Sequence, residues 1–298
     1  MKLVQSKVEL IEQGNSIEDI YRHIELCGRV CYKSEDKITE ESAKEFVDRM
    51  IKSGHGAMLE HGTVYLDMPN SAGNYNLVPF FASNSYSKVV IKPLNDRVHN
   101  YITTNFREIV ENFAEEYIPD VLQYICEPTE YHEKRITVKW TCDRVTGESF
   151  LRHRVFSFAR ESTRYCNYSK DKFGNELTFI IPSWLDIPEG QYTYWDGDWC
   201  DTNKMKIQLA EGEHEDIDTF LWVLENADLQ YKSLLNKGWK PQQARQVLPF
   251  CVKSPLIMTG FESDWPHFFD LRCAKSAHPD AQKLANELKE LMYGSKEV

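Results

Sequence analysis

The side chains best suited to chemistry lie close together in residues 152–165. This segment reads RHRVFSFARESTRY and contains four arginines, one histidine and three Ser or Thr hydroxyls. Arginine presents a planar fork of N–H donors that matches phosphate oxygens, and it stays charged when partly buried. Hydroxyls and exposed backbone N–H groups complete such anion sites, and the interleaved aromatic rings offer flat faces to a heterocycle. The segment therefore predicts a pocket for a phosphorylated aromatic ligand.

The rest of the chain is acidic, which limits the partners of this segment. The 298 residues carry 35 Lys and Arg against 46 Asp and Glu, a formal net charge of -11. Such a surface repels nucleic-acid backbones unless basic residues are concentrated locally. We therefore expect no nucleic-acid partner, while a small phosphate-bearing substrate in a focused basic pocket is compatible with the charge. Three alternatives stay open: a solvated basic strip, arginines that merely pair with the many carboxylates, and a non-catalytic nucleotide- or nucleic-acid-binding protein.

Composition indicates a globular protein without a membrane span. Hydrophobic residues make up 42% of the chain and charged residues 27%, which are ordinary values for a soluble domain. No apolar run approaches the ~18 residues of a membrane helix, and the opening MKLVQSKVEL lacks the apolar core of a signal peptide. We expect a cytoplasmic protein. The eight cysteines form no CxxC pair, so free thiols are expected rather than a metal site.

The elements that must position the arginine segment follow from apolar periodicity and turn residues. Strands are expected over residues 1–10, 63–68, 136–140 and 176–182 and in the segments VLPFCV and PLIMTG. Helices are expected over residues 16–31, 39–53, 103–125, 203–237, 241–248, 264–273 and 279–292, with Thr39 and Asp264 as caps. Residues 69–133 open with Pro, Asn, Ser and Gly and are interpreted as an insertion into a single domain that spans residues 1–298.

The arginine segment resembles the signature of the flavin-dependent thymidylate synthases. That signature is Arg-His-Arg, here residues 152–154, followed after seven residues by a serine, here Ser162. The resemblance extends to the serine, arginine and tyrosine that accompany the motif, which are Ser157, Arg164 and Tyr165 in this chain.

Three further segments are similar to the same family. The loop His55–His61 resembles its upstream histidine loop, ARQVLP at 244–249 resembles its Ala-Arg-x-x-Leu-Pro segment, and WPHFFDLR at 265–272 resembles its terminal helix. The chain also departs from the family pattern at three places: Ala159-Arg160 for Asn-Glu, Ser149 for glutamine and Phe261 for asparagine.

The resemblance implies an enzyme, a methyltransferase that converts dUMP to dTMP. In this family methylenetetrahydrofolate donates the carbon, and FAD that NADPH has reduced donates the hydride, so the cofactors carry the chemistry. The implied fold is α/β (α+β), with a mixed, largely antiparallel sheet and flanking helices. The implied assembly is a homotetramer with active sites shared between subunits. The family has no Gly-rich dinucleotide fingerprint, and this chain also lacks GxGxxG.

The resemblance also assigns residues to each ligand and assigns none to a metal. The FAD residues are Ala57, Arg152, His153, Arg154, Arg160, Phe261 and His267. The dUMP residues are Ser149, Arg152, Arg160, Glu161, Ser162, Thr163, Arg164, Arg245 and Arg272, including the main chain of Glu161 and Ser162. His55 and Tyr165 face the folate. Arg272 is the catalytic residue, because a guanidinium beside the uracil imide stabilises the anion that makes carbon 5 nucleophilic.

An unrelated, cysteine-dependent thymidylate synthase is the nearest enzymatic alternative. Residues 248–251, LPFC, superficially resemble its nucleophile segment, but Val252 stands where its histidine is expected. We therefore expect that Cys251 is not a nucleophile. Ser162 has no base and orienting partner placed for it by sequence, so its expected role is substrate binding.

Overall fold

A computed structural model of the protein describes residues 1–70, 77–94, 97–170, 175–207 and 215–294. The strands are β1 (Lys2–Val4), β2 (Lys7–Ile11), β3 (Thr63–Pro69), β4 (Lys88–Leu94), β5 (Arg97–Asn105), β6 (Arg135–Thr141), β7 (Ser157–Arg160), β8 (Thr178–Ile180), β9 (Gly190–Gln191), β10 (Thr193–Trp195), β11 (Asp198–Cys200) and β12 (Leu256–Phe261). The helices are α1 (Ile17–Tyr32), α2 (Ser42–Lys52), α3 (Gly56–Leu59), α4 (Leu77–Ala82), α5 (Phe106–Asn112), α6 (Ile118–Leu122), α7 (Arg144–Phe150), α8 (Glu215–Asn236), α9 (Pro241–Ala244), α10 (Trp265–Arg272) and α11 (Pro279–Tyr293). Short 3-10 turns lie at Glu35–Lys37, Glu115–Tyr117, Arg245–Val247 and Glu262–Asp264.

A four-stranded antiparallel sheet forms the centre of the fold, in the order β2-β6-β12-β7. Every residue of β12 is buried, because helices cover both faces of the sheet. Leu256 and Met258 belong to the apolar core that includes α10 and α11, whereas Ile257 packs with residues of α1. Alternate side chains of a strand point to opposite faces, so this strand joins two cores. The expected fold class, a largely antiparallel mixed sheet with flanking helices, is confirmed.

Three smaller sheets extend this centre. β3, β5 and β4 form an antiparallel sheet, to which residues 69–133 contribute the β4 and β5 hairpin. β1 lies between β8, to which it is parallel, and β9, to which it is antiparallel. β10 and β11 pair as a hairpin, and α8 packs nearby through Leu221, Leu224 and Tyr231. Across the described ranges, no helix is both long enough and apolar enough to cross a membrane.

The single helix expected over residues 103–125 is wrong. β5 continues to Asn105, whose side chain caps the short α5 by accepting a hydrogen bond from the Glu108 N–H at 3.1 Å. Thr103 and Thr104 are fully buried in the strand, where β-branched residues pack well. Pro119 then lies in the first turn of a separate helix, α6, a position that needs no N–H donor from it.

Smaller expectations also fail. VLPFCV forms no strand: Pro249 has no N–H to give to a sheet, and Val252 makes only an isolated bridge to Phe179. The helix expected from residue 203 begins at Glu215 among the described residues, since residues 203–207 are not helical and 208–214 lie outside them. Neither expected cap forms by side chain, at Thr39 before α2 or at Asp264 before α10.

The eight cysteines form no disulfide, and the cores enclose most of them. Burial raises the pKa of six of these thiols, which are Cys27, Cys31, Cys126, Cys142, Cys251 and Cys273. Since the thiolate is the reactive form of cysteine, these side chains pack as small apolar groups.

A row of buried hydrogen bonds crosses the central sheet. His23 Nε2 bonds to Thr137 Oγ1 at 3.1 Å, Thr137 Oγ1 to Thr259 Oγ1 at 2.9 Å, and Thr259 Oγ1 to His61 Nδ1 at 2.8 Å. Burial lowers the pKa of His23 to about 4 and that of His61 to about 3. Both rings are therefore neutral near neutral pH, and the row links α1 to the loop before β3.

We predict that mild acid destabilises the fold through these two histidines. An unfolded histidine has a pKa near ~6.5, above both folded values, so the unfolded chain binds protons that the folded chain does not. The two neutral histidines therefore make their full contribution to the free energy of unfolding above pH ~6.5, and this contribution is lost as the pH falls toward ~4. Between pH ~7 and ~5 the free energy of unfolding should fall by about 2 kcal/mol per histidine. Urea unfolding of wild type and His61→Gln at those two pH values measures it. Glutamine does not titrate, so an equal pH difference in both proteins would contradict the prediction.

Candidate active site

The arginine segment begins where α7 ends, over the apolar core. Asp143 caps α7 by accepting a hydrogen bond from the Thr146 N–H at 2.8 Å, and Phe150 at the end of the helix is fully buried. His153 follows and is only 6% exposed, and the centroid of its ring lies 5.0 Å from that of Phe268 in α10. The core thereby holds α10 against a segment that is far from it in sequence.

This packing brings Arg272, the last residue of α10, to the arginine segment. Arg272 Nε donates to His153 Nε2 at 2.9 Å, and Nη2 donates to the main-chain carbonyl of Ser149 at 2.6 Å. The Nη1 group makes no hydrogen bond within the described part of the chain. Two predicted site elements are therefore joined directly, and one edge of the guanidinium is left for a ligand.

His153 accepts the Arg272 hydrogen bond in its neutral form. Burial lowers the pKa of His153 to about 4, and the charges of Arg272 and His267 act in the same direction. A protonated ring would have no lone pair for Arg272 Nε and would place two cations in contact. At neutral pH the ring is therefore a fixed acceptor that orients the guanidinium. Burial also lowers the pKa of Arg272, with the charge of Arg152 as the second cause.

Five of the predicted arginines have no carboxylate partner of their own. Within the described ranges, no Asp or Glu oxygen lies within 4.0 Å of these side chains, which are Arg152, Arg154, Arg164, Arg245 and Arg272. Elsewhere arginines do pair with carboxylates, as Arg29 does with Glu25 at 2.8 Å. In a chain with 46 acidic residues, this separation favours a ligand-binding role over simple pairing with carboxylates.

Arg160 differs from these five because protein atoms hold its guanidinium. Its Nε donates to Ser254 Oγ at 2.8 Å, its Nη1 to Glu148 Oε1 at 2.7 Å and its Nη2 to the Arg144 carbonyl at 3.1 Å. The side chain thus ties β7 to α7. The expected contacts of Arg160 with FAD and dUMP stay a prediction, and the structure gives its side chain a bracing role.

The main-chain N–H groups of Glu161 and Ser162 make hydrogen bonds within the fold. The Glu161 N–H donates to the Pro255 carbonyl at 2.9 Å and the Ser162 N–H to the Cys31 carbonyl, also at 2.9 Å. The Glu161 carboxylate accepts a hydrogen bond from the Tyr168 hydroxyl at 2.6 Å, and burial raises its pKa. Carbonyls of α1 and of the segment before β12 therefore accept both N–H groups, and the expected contact of dUMP with this main chain stays a prediction.

Arg245 lies on a cavity beside the arginine segment. Its Nη1 donates to the hydroxyl of the buried Thr163 at 3.3 Å. The cavity has a volume of about 440 Å³ and is lined by Arg144, Thr163, Arg245, Gln246, Leu248 and Phe250. Thr163 and Arg245, which were expected to hold the nucleotide, thus share one opening with a second cation, Arg144, that was not expected there.

The two residues expected to face the folate are connected by an aromatic side chain. The Tyr32 hydroxyl bonds to His55 Nδ1 at 3.3 Å, and the ring centroids of Tyr32 and Tyr165 are 5.8 Å apart. The Arg164 guanidinium lies over the Tyr165 ring, 5.2 Å from its centroid. His55, Tyr32 and Tyr165 therefore form a continuous row along the surface, and Tyr165 is 58% exposed.

The remaining predicted residues occupy different surroundings. Ala57 is exposed on α3, and the exposed His267 ring lies 6.1 Å from the His153 ring. Phe261 is buried, with Lys88 Nζ 5.3 Å and Arg135 Cζ 5.6 Å from its ring centroid. The described ring contacts of Phe261 are thus with these two cations and not with the Arg272 and His153 pair.

Two further side chains considered above are Cys251, as a possible nucleophile, and Ser149, as a possible dUMP contact. Burial raises the pKa of Cys251 to about 12, so its thiol is protonated and a poor nucleophile at neutral pH. The Ser149 hydroxyl donates to the Thr146 carbonyl at 2.7 Å, and its own carbonyl serves Arg272.

Tyr32, Arg144 and Glu148 also contact the predicted residues, although the sequence did not point to them. The available signal for the last two was Asp143, a residue that typically caps a helix. A helix beginning there places Arg144 and Glu148 one turn apart on one face, which the structure bears out with an N···O distance of 3.7 Å. No comparable signal exists for Tyr32, because its partners come from other elements of the fold.

Comparison with known proteins places these observations in a family. The model of the family described as thymidylate synthase complementing protein matches residues 73–294. The chain is 27% identical over 190 residues to the flavin-dependent thymidylate synthase of Pyrococcus furiosus, covering 64% of this chain and 67% of that protein. It is 25% identical over 183 residues to that of Pyrococcus abyssi, covering 61% and 64%. It is 29% identical over 145 residues to the flavin-dependent thymidylate synthase of Haloarcula marismortui, covering 47% of this chain and 55% of that protein.

The chain thus spans between 55% and 67% of the length of these three relatives. Among solved structures, the UMP/dUMP methylase PolB from Streptomyces cacaoi bound with 5-Br dUMP aligns with 98% of this chain and 92% of that chain, at 18% identity and a TM-score of 0.42. A TM-score of this size does not establish a common fold. The family match stands independently of it and covers well over half of the sequence, including the arginine segment, Arg245 and Arg272. The chain therefore belongs to the thymidylate synthase complementing protein family.

Proposed function

We propose that this chain is a flavin-dependent thymidylate synthase, a methyltransferase that converts dUMP to dTMP. The observation that carries the proposal is a set of arginines without carboxylate partners in an acidic chain, one of them fixed by a neutral histidine. Arg272 is the one of the five that is partly buried, and a guanidinium in such a place needs an anionic partner. The other four are exposed and accessible to the phosphate groups that FAD and dUMP both bring. Membership of the family and the names of the relatives support the same conclusion.

The residues around His153 fit FAD as cofactor. Arg152 and Arg154 are exposed and have no carboxylate within 4.0 Å in the described part, so both can bind the pyrophosphate. The exposed Ala57 and His267 complete the proposed contacts, and Phe261 offers only an apolar or main-chain surface. When bound, FAD reduced by NADPH supplies the hydride that completes the methyl group.

Arg272 is the residue we assign to catalysis. His153 and the Ser149 carbonyl hold its guanidinium in one orientation, so no reorganisation is needed when charge develops on a bound ring. Its free Nη1 edge can donate to the uracil carbonyl and stabilise the anion that makes carbon 5 nucleophilic. Arg272 thus acts by orientation and charge, without transferring a proton.

The nucleotide lies, in this proposal, between Arg272 and the cavity that Arg245 lines. Arg245 is held by Thr163 and mainly binds, and Arg164 contributes a third charge at the exposed end of the segment. The Ser162 hydroxyl completes the contacts. Methylenetetrahydrofolate, the carbon donor, stacks on the exposed Tyr165 ring and contacts His55.

We further propose a cytoplasmic homotetramer with active sites shared between subunits and with no nucleic-acid partner. Residues 1–298 form one catalytic domain in this proposal, and residues 69–133 are an insertion in it. The resemblance of the arginine segment to the family signature is what supports a shared site.

A first prediction concerns the cofactor. The double variant His153→Ala, Arg154→Ala should purify without flavin, because it loses one phosphate-binding guanidinium and the ring that orients Arg272. Flavin absorbance per mole of protein measures this, with Arg22→Ala as control, since Arg22 is exposed and pairs with Asp19 at 3.2 Å. Full flavin retention in the double variant would remove FAD from this segment. A colourless wild type that takes up no FAD would favour the non-catalytic binding protein instead.

A second prediction separates the two kinds of thymidylate synthase. Cys251→Ala should keep dUMP methylation largely intact, because the Cys251 thiol is protonated and half-buried. The measurement is dTMP formation by wild type and variant at equal flavin content. Loss of turnover in a folded variant that still binds FAD would revive the cysteine-dependent mechanism.

A third prediction tests Arg272. Arg272→Lys should lower dTMP formation at saturating dUMP by about a hundredfold, the usual effect of losing one such donor, because lysine keeps the charge but loses the fork that His153 and Ser149 orient. Bleaching of the flavin by NADPH in the same sample serves as the internal control and should survive. A variant that made dTMP at the wild-type rate would leave Arg272 with a structural role only.

A further inference from the structure

We propose that Arg144 is a further residue of the nucleotide site, and that it joins Arg245 in binding the 5′-phosphate. This inference rests on the proposed function for the identity of the nucleotide. It adds a residue that neither the arginine motif nor the C-terminal segments contain, since Arg144 opens the helix that leads into the motif.

The position of Arg144 is fixed by its main chain. Its N–H donates to the Phe250 carbonyl at 3.0 Å, and its carbonyl accepts a hydrogen bond from Arg160 Nη2 at 3.1 Å. These bonds tie the start of α7 to the segment that follows Arg245. Both guanidiniums consequently line the same cavity of about 440 Å³, although the two residues are distant in sequence.

The two cations lack a carboxylate that could neutralise them. Arg245 has none within 4.0 Å in the described part, where its one side-chain bond is to the Thr163 hydroxyl. Arg144 has Glu148 at 3.7 Å, but the same Glu148 oxygen lies 2.7 Å from Arg160 Nη1, which is the closer and better-placed partner. One shared carboxylate thus faces two cations, and the cavity keeps an excess of positive charge.

The electrostatics of Arg144 agree with that excess. Burial lowers the pKa of its guanidinium, and the charges of Arg160 and Arg245 add to the effect while Glu148 opposes it. Two like charges facing one partly enclosed space repel each other, and this repulsion is relieved when a dianion lies between them. A phosphate monoester carries such a charge and offers oxygens to both forks.

The shape of the cavity favours a phosphate joined to an organic group over a free ion. Its volume exceeds what inorganic phosphate fills, and Leu248 and Phe250 add apolar wall beside the cations. Phe250 is 74% exposed, so its ring is available to a sugar or base that extends out of the cavity. Thr163 holds Arg245 in place, which leaves Arg144 as the cation that can adjust to the ligand.

The test is calorimetric titration of the full-length protein with dUMP and with deoxyuridine. Arg144→Gln should weaken dUMP binding about ten- to a hundredfold, the usual loss for one charge-assisted hydrogen-bonding group, and leave deoxyuridine binding unchanged. Arg144→Lys should give a smaller loss, because it keeps the charge without the fork. Arg22→Gln, which removes an exposed arginine of α1, should bind both ligands as wild type does.

The outcomes separate this inference from the proposed function. If Arg144→Gln retains FAD and binds dUMP as tightly as wild type, or loses dUMP and deoxyuridine equally, the phosphate subsite is overturned while the enzyme assignment stands. If wild type binds no dUMP, the proposed function fails, and the same proteins are then titrated with inorganic phosphate. If wild type binds phosphate and Arg144→Gln weakens this binding at least tenfold, the anion subsite is supported. If wild type does not bind phosphate, the subsite is overturned. Should Arg144→Gln fail to fold, Arg144→Lys decides the same question.

Discussion

The hydrogen bond from Arg272 Nε to a neutral His153 is the interaction on which the site depends. The bond forms because the ring is buried against Phe268, and burial lowers the pKa of His153 to about 4. Phe268 in turn belongs to the core that β12 supplies through Leu256 and Met258. The central sheet therefore supports the apolar core, the core buries His153, and His153 orients the Arg272 guanidinium.

A second constraint is the separation of positive from negative charge. The chain carries 46 acidic residues, yet the arginines that face the site are kept away from them. Arg160 shows the alternative: with Glu148 and Ser254 in reach, its guanidinium becomes a brace between α7 and β7. Whether an arginine binds a ligand or supports the fold is decided here by which carboxylates the fold places nearby, since the side chain is the same in both cases.

Much of the site could be predicted because its signals are local. The motif at 152–165 and the apolar segment containing Arg272 are continuous in sequence, and α1, α11, β6 and β12 follow from clear periodicity. What could not be predicted depends on distant partners. The sequence gives no sign that carbonyls of Pro255 and Cys31 accept the N–H groups of Glu161 and Ser162.

The wrong predictions of secondary structure have the same origin. Residues 103–125 contain apolar residues at helical spacing, but pairing of β5 with β3 on one side and β4 on the other makes the first part of that stretch a strand. Local periodicity cannot report such pairing, because the partners of β5 lie elsewhere in the chain. The arrangement of Arg144 around the cavity escaped prediction for a related reason, since the Phe250 carbonyl that fixes it belongs to a segment wrongly expected to be a strand.

The buried thiols have a consequence for the lifetime of the protein under oxidising conditions. Oxidants attack the thiolate far faster than the thiol, and the first product, a sulfenic acid, is what leads on to irreversible damage. Burial raises the pKa of Cys27 and Cys142 inside the cores and of Cys251 in the segment before β12. Thiols held in the protonated, enclosed form are slow to enter that sequence, so peroxide should inactivate the protein more slowly than its content of eight cysteines would suggest.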